Sequence, residues 1–286
     1  MGSTWFSALK KDLRSNRLPQ IGLVIVGTVL FMAIFAPFLA PHDPREQNLY
    51  ARLNPPVWMK GGSWDYPLGA DSHGRDMLSR IIYGARVSML VGGAGVLLSL
   101  AIGLPIGVIA GYYGGRLDDL LMRIVDIFLA LPTILFALAI IAALGPSLLN
   151  LIIVMGISSW VLIARTIRGE VLRVREMQYI KAARAIGVRD VVIIVRHVLP
   201  NTIQPIIVLA TIQFAFLIIL EASLSFFGLS GITLSWGWDI SVGREYLRNA
   251  WWIATFPGLA ILLTVMGLNF IGDWLRDVMD PYLVRD

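Results

Sequence analysis

"YIKAARAIGVRDVVIIVRHVLP", residues 179–200, is basic and apolar at once, with a glycine inside it and a proline at its end. Apolar runs at about 147–164 and 203–228 flank it, and neither contains Lys or Arg. If those runs cross a bilayer, the segment between them is a charged, broken helix held at the membrane surface. Its reading decides what kind of membrane protein this is.

Working outward, the composition supports the bilayer. Hydrophobic residues make up 57% of the 286 residues, charged residues 15%, and the mean hydropathy is +0.73. Soluble domains run at about 45–50% apolar and about 25% charged. The net charge of +5 belongs to loops on the cytoplasmic side rather than to a nucleic-acid partner. There is no cysteine, hence no disulfide. His42, His73 and His197 are scattered without the spacing of metal ligands, so no metal site is expected.

A spanning helix needs about 20 apolar residues. Six runs qualify: about 20–40, 88–112, 121–144, 147–164, 203–228 and 252–275. They are too long and uniform for barrel strands, which leaves an all-α polytopic protein with six transmembrane helices. The first run follows Lys10, Lys11, Arg14 and Arg17 like a signal peptide. Its length, and Pro41 just after Ala40, point instead to an uncleaved anchor.

Loop charge sets the orientation. The loop 165–202 carries Arg165, Arg168, Arg173, Arg175, Lys181, Arg184, Arg189 and Arg196, whereas 145–146 carries none and 229–251 only Arg244 and Arg248. Both termini are therefore expected in the cytoplasm. The resulting division is a cytoplasmic tail 1–19, a first span 20–40, an outer segment 41–87, a five-helix core 88–276 that includes the loop 165–202, and a cytoplasmic tail 277–286. Within the outer segment, Met77, Leu78, Ile81, Ile82 and Ala85 share one helical face, which predicts an amphipathic helix over 74–86 lying on the membrane surface.

Span two carries Gly95, Ser99, Gly103, Gly107 and Gly111, small residues at a strict spacing of four. In lipid, close backbone approach drives helix association, so this row predicts tight packing on a neighbour. Two carboxylates lie in apolar runs. Asp126, near the start of span three, follows Arg123 at i+3 and is expected to pair with it. Glu221 lies deep in span five with Ser223 and Ser225 close by; it either lines a pathway with Ser223 or is held in an inter-helix hydrogen bond. Pro132 is expected to kink span three.

The opening stretch itself reads as two short helices. The first ends at the helix stop Gly187, and the second, from Val188, is broken by Pro200 before span five. Ala182, Ala183 and Ala185 form a surface of small side chains bounded by charge, suited to insertion into a partner's groove. The plainer alternative is a positive loop touching lipid headgroups.

The stretch closely resembles the EAA loop of ABC importer inner-membrane permeases, whose pattern is Glu-Ala-Ala, three residues, Gly, nine residues, Ile-x-Leu-Pro. Here it runs Lys181-Ala182-Ala183, Gly187, then His197-Val198-Leu199-Pro200, with Lys181 and His197 departing from the pattern. Further segments are similar to the dipeptide, oligopeptide and nickel group of these type I permeases: "PLGADSHGRDMLSRIIYGARVSM" (67–89), "SLSFFGL" (223–229), "WG" (236–237) and "GDWLRDVMDPYL" (272–283).

The resemblance implies a permease subunit of the bacterial inner membrane, forming half of a translocation pathway for short peptides or a related small solute. It implies a second homologous permease, two cytoplasmic ATPase subunits and an external substrate-binding protein as partners. In that family the loop is the coupling helix docking on the ATPase, which makes Tyr179, Lys181, Ala182, Ala183, Gly187, Val188, Arg189 and Asp190 the contact candidates. The outer helix 74–86 and the loop 229–251 become candidates for the binding protein. The chain contains no G-x-x-x-x-G-K-[ST] phosphate loop, so ATP and Mg are expected in the partner subunits and no cofactor or catalytic residue in this chain. The competing expectations are an ATP-independent secondary transporter or channel, and a membrane scaffold without transport.

Overall fold

In the computed structural model, Leu13 and residues 16–279 are described. The readings on Lys10, Lys11, Arg14 and most of the C-terminal tail fall outside them. The helices are α1 (Arg17–Leu39), α2 (Met77–Tyr113), α3 (Gly115–Leu129), α4 (Thr133–Leu144), α5 (Leu148–Arg175), α6 (Gln178–Ala185), α7 (Asp190–Phe226), α8 (Trp236–Gly243) and α9 (Trp252–Met279). No strand occurs among the described residues.

Helix starts follow local chemistry. Asn16, Asp76, Ser147 and Ser235 each accept a hydrogen bond from a backbone N–H of the first turn of α1, α2, α5 and α8, supplying acceptors for donors that the helix itself cannot satisfy. Gly114 and Gly145 end α2 and α4 at positive φ.

Five helices (α1, α2, α5, α7 and α9) are long and apolar enough to cross a membrane, and α3 with α4 forms a sixth unit bent by 86°. The single span expected at 121–144 is thus two helices. Pro132 stands immediately before α4, and proline disfavours helix in the residue ahead of it, so the chain breaks at 130–132. Alone, α4 is about 18 Å long, short of a hydrocarbon core of about 30 Å.

Other bounds also need correction. The expected surface helix 74–86 is no separate element. From Met77 it is the start of the 37-residue α2, and Ser79, Arg80, Gly84 and Ala85 are buried along with its apolar face. The expected cytoplasmic loop 165–202 is mostly helix, because α5 continues to Arg175 and α7 begins at Asp190. Pro200 does not break α7. A π-turn over Ile194–Val198, with the Leu199 N–H donating to the Ile194 carbonyl, widens the helix just ahead of the ring and absorbs the missing donor.

The core is built on α2 and α5. A Cβ added at Gly103, Gly107 or Gly111 would come within 2.5–2.9 Å of the Trp160, Ala164 and Arg168 carbonyls, a step of four on one helix matching a step of four on the other. The same Cβ atoms would meet Ile163, Ile167 and Val171. Ser99 donates to the Gly156 carbonyl at 3.2 Å, and Gly95 abuts Met155 and Leu217. The two helices therefore run parallel, at a distance only small residues allow. Helices α1, α7 and α9 pack around this pair with α2.

Asp126 pairs with Arg165 of α5 at 3.6 Å, not with Arg123 as expected. The reason is that α3 lies along α5, where Asp118 also takes a two-point contact from Arg168 at 2.5 and 2.6 Å.

Candidate functional site

The segment 176–198 closes the end of the α2–α5 pair. Val108 and Tyr112 of α2, Ile163, Ile167, Val171 and Val174 of α5, Ile180 of α6, and Ile193 and Val198 of α7 form one buried apolar cluster. Ala183 and Val188 pack against it from the rim. The segment is thus not a loose loop but the lid of this cluster.

Its turn has a defined geometry. Gly187 has φ +80, the Val188 N–H donates to the Ala183 carbonyl at 3.1 Å, and the Gly187 N–H donates to the Arg184 carbonyl at 3.0 Å. This is a Schellman C-terminus, with Ala183 and Val188 both packed on the cluster. Any residue with a Cβ would be strained at that φ.

Tyr112 ties both arms down. Its hydroxyl donates to Asp190 Oδ1 at 2.7 Å, and the Arg184 guanidinium sits 4.6 Å from its ring centroid. Arg175 Nη1 donates to the Gly111 carbonyl at 2.8 Å, capping the last turn of α2. Asp190, in the first turn of α7, also complements the helix dipole. Lys181 meets Glu176 at 2.9 Å, and that ammonium holds the Glu176 carboxyl below its ordinary value.

The eight candidates separate into two faces. Tyr179, Lys181, Ala182, Gly187 and Arg189 are exposed; Ala183, Val188 and Asp190 are half-buried and engaged with this chain. Sequence reasoning omitted Ile186, which is 80% exposed beside Ala182 and Ala185, and Val191, which is also exposed. It also omitted Tyr112, for which the only signal was a Tyr pair ahead of "GG", which reads as an interfacial aromatic.

Glu221 and Ser223 are not brought together. Glu221 is fully buried; Ser88 Oγ of α2 donates to its Oε2 at 3.2 Å and Ser225 Oγ to its Oε1 at 2.7 Å. Ser223 lies partly exposed on another face and donates to the Ile219 carbonyl.

At the other end of α2 stands a cap of buried charge. Arg80, 1% exposed, donates from Nε to Asp239 Oδ1 at 2.7 Å, from Nη1 to the Pro44 carbonyl at 3.1 Å and from Nη2 to the Thr233 carbonyl at 2.5 Å. Asp71 pairs with Arg75 at 2.6 Å beside it. Indoles fasten the same block: Trp236 Nε1 donates to the Ile81 carbonyl and Trp252 Nε1 to the Ala70 carbonyl.

Residues 103–285 match the family described as binding-protein-dependent transport system inner membrane component. The chain belongs to this family. Residues 3–56 match the N-terminal TM domain of oligopeptide transport permease C. The chain is 43% identical to the di/tripeptide transport system permease protein DppC of Pseudomonas aeruginosa, over 92% of this chain and 87% of that one. It is 43% identical to a dipeptide transport system permease protein DppC of Alkalihalophilus pseudofirmus, over 98% and 90%. It is 44% identical to the dipeptide permease DppC of Escherichia coli, over 94% and 91%. In fold it is similar to a chain of the inward-facing MetNI methionine ABC transporter, with a TM-score of 0.59 and 21% identity, over 71% of this chain and 98% of that one. The family accounts for the multi-helix membrane fold and makes this protein a transport permease of the multi-pass inner-membrane type.

Proposed function

We propose that this permease forms one half of an ATP-driven importer of short peptides, and that α6 is the handle through which cytoplasmic ATPase subunits move it. The observation that carries this reading is the division of α6 into two faces. Ile180 and Ala183 bind the permease's own cluster, while Tyr179, Ala182, Ala185 and Ile186 remain outside as a small-residue, partly apolar tip. Such a tip fits a cleft in a partner, and the surrounding Lys181, Arg184 and Arg189 fix its register.

Force applied to the tip passes through Ile180 and Tyr112 into α2 and α5, which the glycine row locks into one body. Alternation between inward-open and outward-open states then moves this body against a second permease. ATP and Mg belong to the ATPase partners. The peptide assignment comes from the relatives' substrates and is carried to this chain by similarity alone. Both termini face the cytoplasm in this arrangement, and the cap around Arg80 faces the external binding protein.

Uptake into proteoliposomes holding both permeases and the ATPases tests the reading. Labelled dipeptide is expected to enter only with ATP, ATPase subunits and binding protein all present. Uptake by the permeases alone, without ATP, would identify a secondary transporter or channel instead.

A further inference from the structure

Helix α3 presents three faces. Asp118 and Val125 are buried, and Met122 and Phe128 pack with Val125 against α5. Leu117, Leu120, Ile124 and Ile127 form an exposed apolar stripe at steps of three and four. Arg116, Asp119, Arg123 and Asp126 form a second exposed stripe at the same steps, and every member is charged. Lipid accounts for the apolar stripe but not for the charged one.

The charged stripe reaches into the spanning part of the molecule. Val125, next to Asp126, packs with Trp160, Val161 and Ala164 of α5. The Trp160 and Ala164 carbonyls are those approached by Gly103 and Gly107 of α2. At about 1.5 Å per residue, Gly107 and Gly103 lie about 9 and 15 Å along α2 from its end at Tyr113. At this depth the Asp126 and Arg165 side chains are 60% and 58% exposed. Charged groups inside spanning segments face the bundle interior or a water-filled cavity, because lipid does not solvate them. One turn from Arg165 towards the α6 end of α5 stands Gly169, where a Cβ would meet open space among the described residues.

Two ion pairs join α3 to α5, and they differ. Arg168 grips the buried Asp118 at two points, 2.5 and 2.6 Å. Asp126 and Arg165 stand 3.6 Å apart, too far for a direct hydrogen bond, so their acceptors and donors stay available to a ligand. A solvated pair of this kind adds little to stability. Asp118 fixes the helix; Asp126 is left with both its charge and its freedom.

We propose that the charged face of α3 and Arg165 line a water-filled vestibule open towards the α6 end, where Arg165 meets the carboxylate and Asp126 the ammonium of a passing zwitterionic solute. The solute's part in this rests on the importer reading above; the water-filled vestibule does not. A guanidinium offers a carboxylate two parallel N–H donors, and the neighbouring Arg123 and Asp119 supply the same two signs of charge one and two turns nearer the start of α3.

The chain has no cysteine, so single-cysteine variants of the complete transporter in nanodiscs report one position each. A membrane-impermeant, cationic methanethiosulfonate is expected to label Asp126→Cys and Arg123→Cys rapidly. Leu120→Cys and Ile127→Cys, equally exposed but on the apolar stripe, should resist it. No labelling at 123 and 126, or equal labelling on both stripes, would overturn the vestibule. A second arm measures ATP-dependent dipeptide uptake with binding protein and ATPases present. Asp126→Asn and Arg165→Gln should each lower the maximal rate several-fold, leaving the half-saturating dipeptide concentration and the unfolding midpoint unchanged. Wild-type rates in both variants, or a fall in the unfolding midpoint that tracks the fall in uptake, would overturn the solute contact. If the unaltered transporter shows no ATP-dependent uptake, the importer reading fails by itself, and the labelling pattern still decides the vestibule.

Discussion

The two ends of α2 are held by opposite means. At its N-terminal end, Arg80 is buried and joins three segments: it pairs with Asp239 and donates to the carbonyls of Pro44 and Thr233, while two indoles clasp nearby carbonyls. At its C-terminal end one apolar cluster and one tyrosine hold α6, and the tip of α6 stays exposed. Buried, paired charge fixes geometry strongly, because losing either partner strands the other in a dry site. An apolar lid with an exposed outer face holds position yet leaves a surface for another protein. One end of α2 is thus a buried block, and the other a covered cluster with an exposed outer face.

Breaking the cap should have the largest effect. Arg80→Ala leaves Asp239 buried without its cation, and we expect a loss of about 3–5 kcal/mol, seen as poor accumulation or a much lower unfolding midpoint in detergent. Asp239→Asn retains a neutral acceptor for the guanidinium and should be milder. If Arg80→Ala were no worse than the handle variants below, the contrast between the two ends would collapse.

The α2–α5 contact comes next. Gly107→Val places atoms against the Ala164 carbonyl and Ile167. Forced separation of α2 and α5 should cost about 1–3 kcal/mol or more, measured by thermal unfolding, with Gly27→Val as a control where a Cβ meets nothing.

Tyr112→Phe sharpens the comparison at the C-terminal end of α2. It removes only the hydroxyl that donates to Asp190, worth about 0.5–1.5 kcal/mol. Amide exchange over 178–190 should rise while the global unfolding midpoint barely moves. Equal acceleration in the cap around Arg80 would show that the two ends are not independently held.

The smallest effect belongs to the exposed Lys181–Glu176 pair. Because the Glu176 carboxyl is held below its ordinary value of 4.5, its contribution is present at neutral pH and is lost only as pH falls through that depressed value. Lys181→Ala should therefore leave the unfolding midpoint at pH 7 unchanged within error, as expected for a solvated ion pair.

Much of this architecture was legible in the sequence. Apolar run length located the membrane helices, and the four-residue spacing marked the tight face of α2, though not that its neighbour is α5. Helix ends were misplaced where helices continue beyond the apolar stretch. Arg168, Arg173 and Arg175 look like loop but complete α5, because charged residues are good helix formers once the helix has been nucleated in the membrane. The Arg80–Asp239 pair was invisible: its members are 159 residues apart, and both types read as surface. Within the handle, the spacing of Ile180 and Ala183 already placed both on one face, opposite Ala182, Ala185 and Ile186. The sequence reading grouped Ala183 with Ala182 and Ala185 in one small-residue surface and passed over Ile186, whereas Ala183 is half-buried and Ile186 exposed.

The most direct test of the handle is Ile186→Asp. The residue is 80% exposed and touches no part of the buried cluster, so the permease itself should fold, insert and unfold as before. Pull-down of the ATPase subunits and ATP-dependent uptake should both fall to background. Normal ATPase attachment and uptake with Asp at 186 would contradict the assignment of α6 as the site where the motor grips.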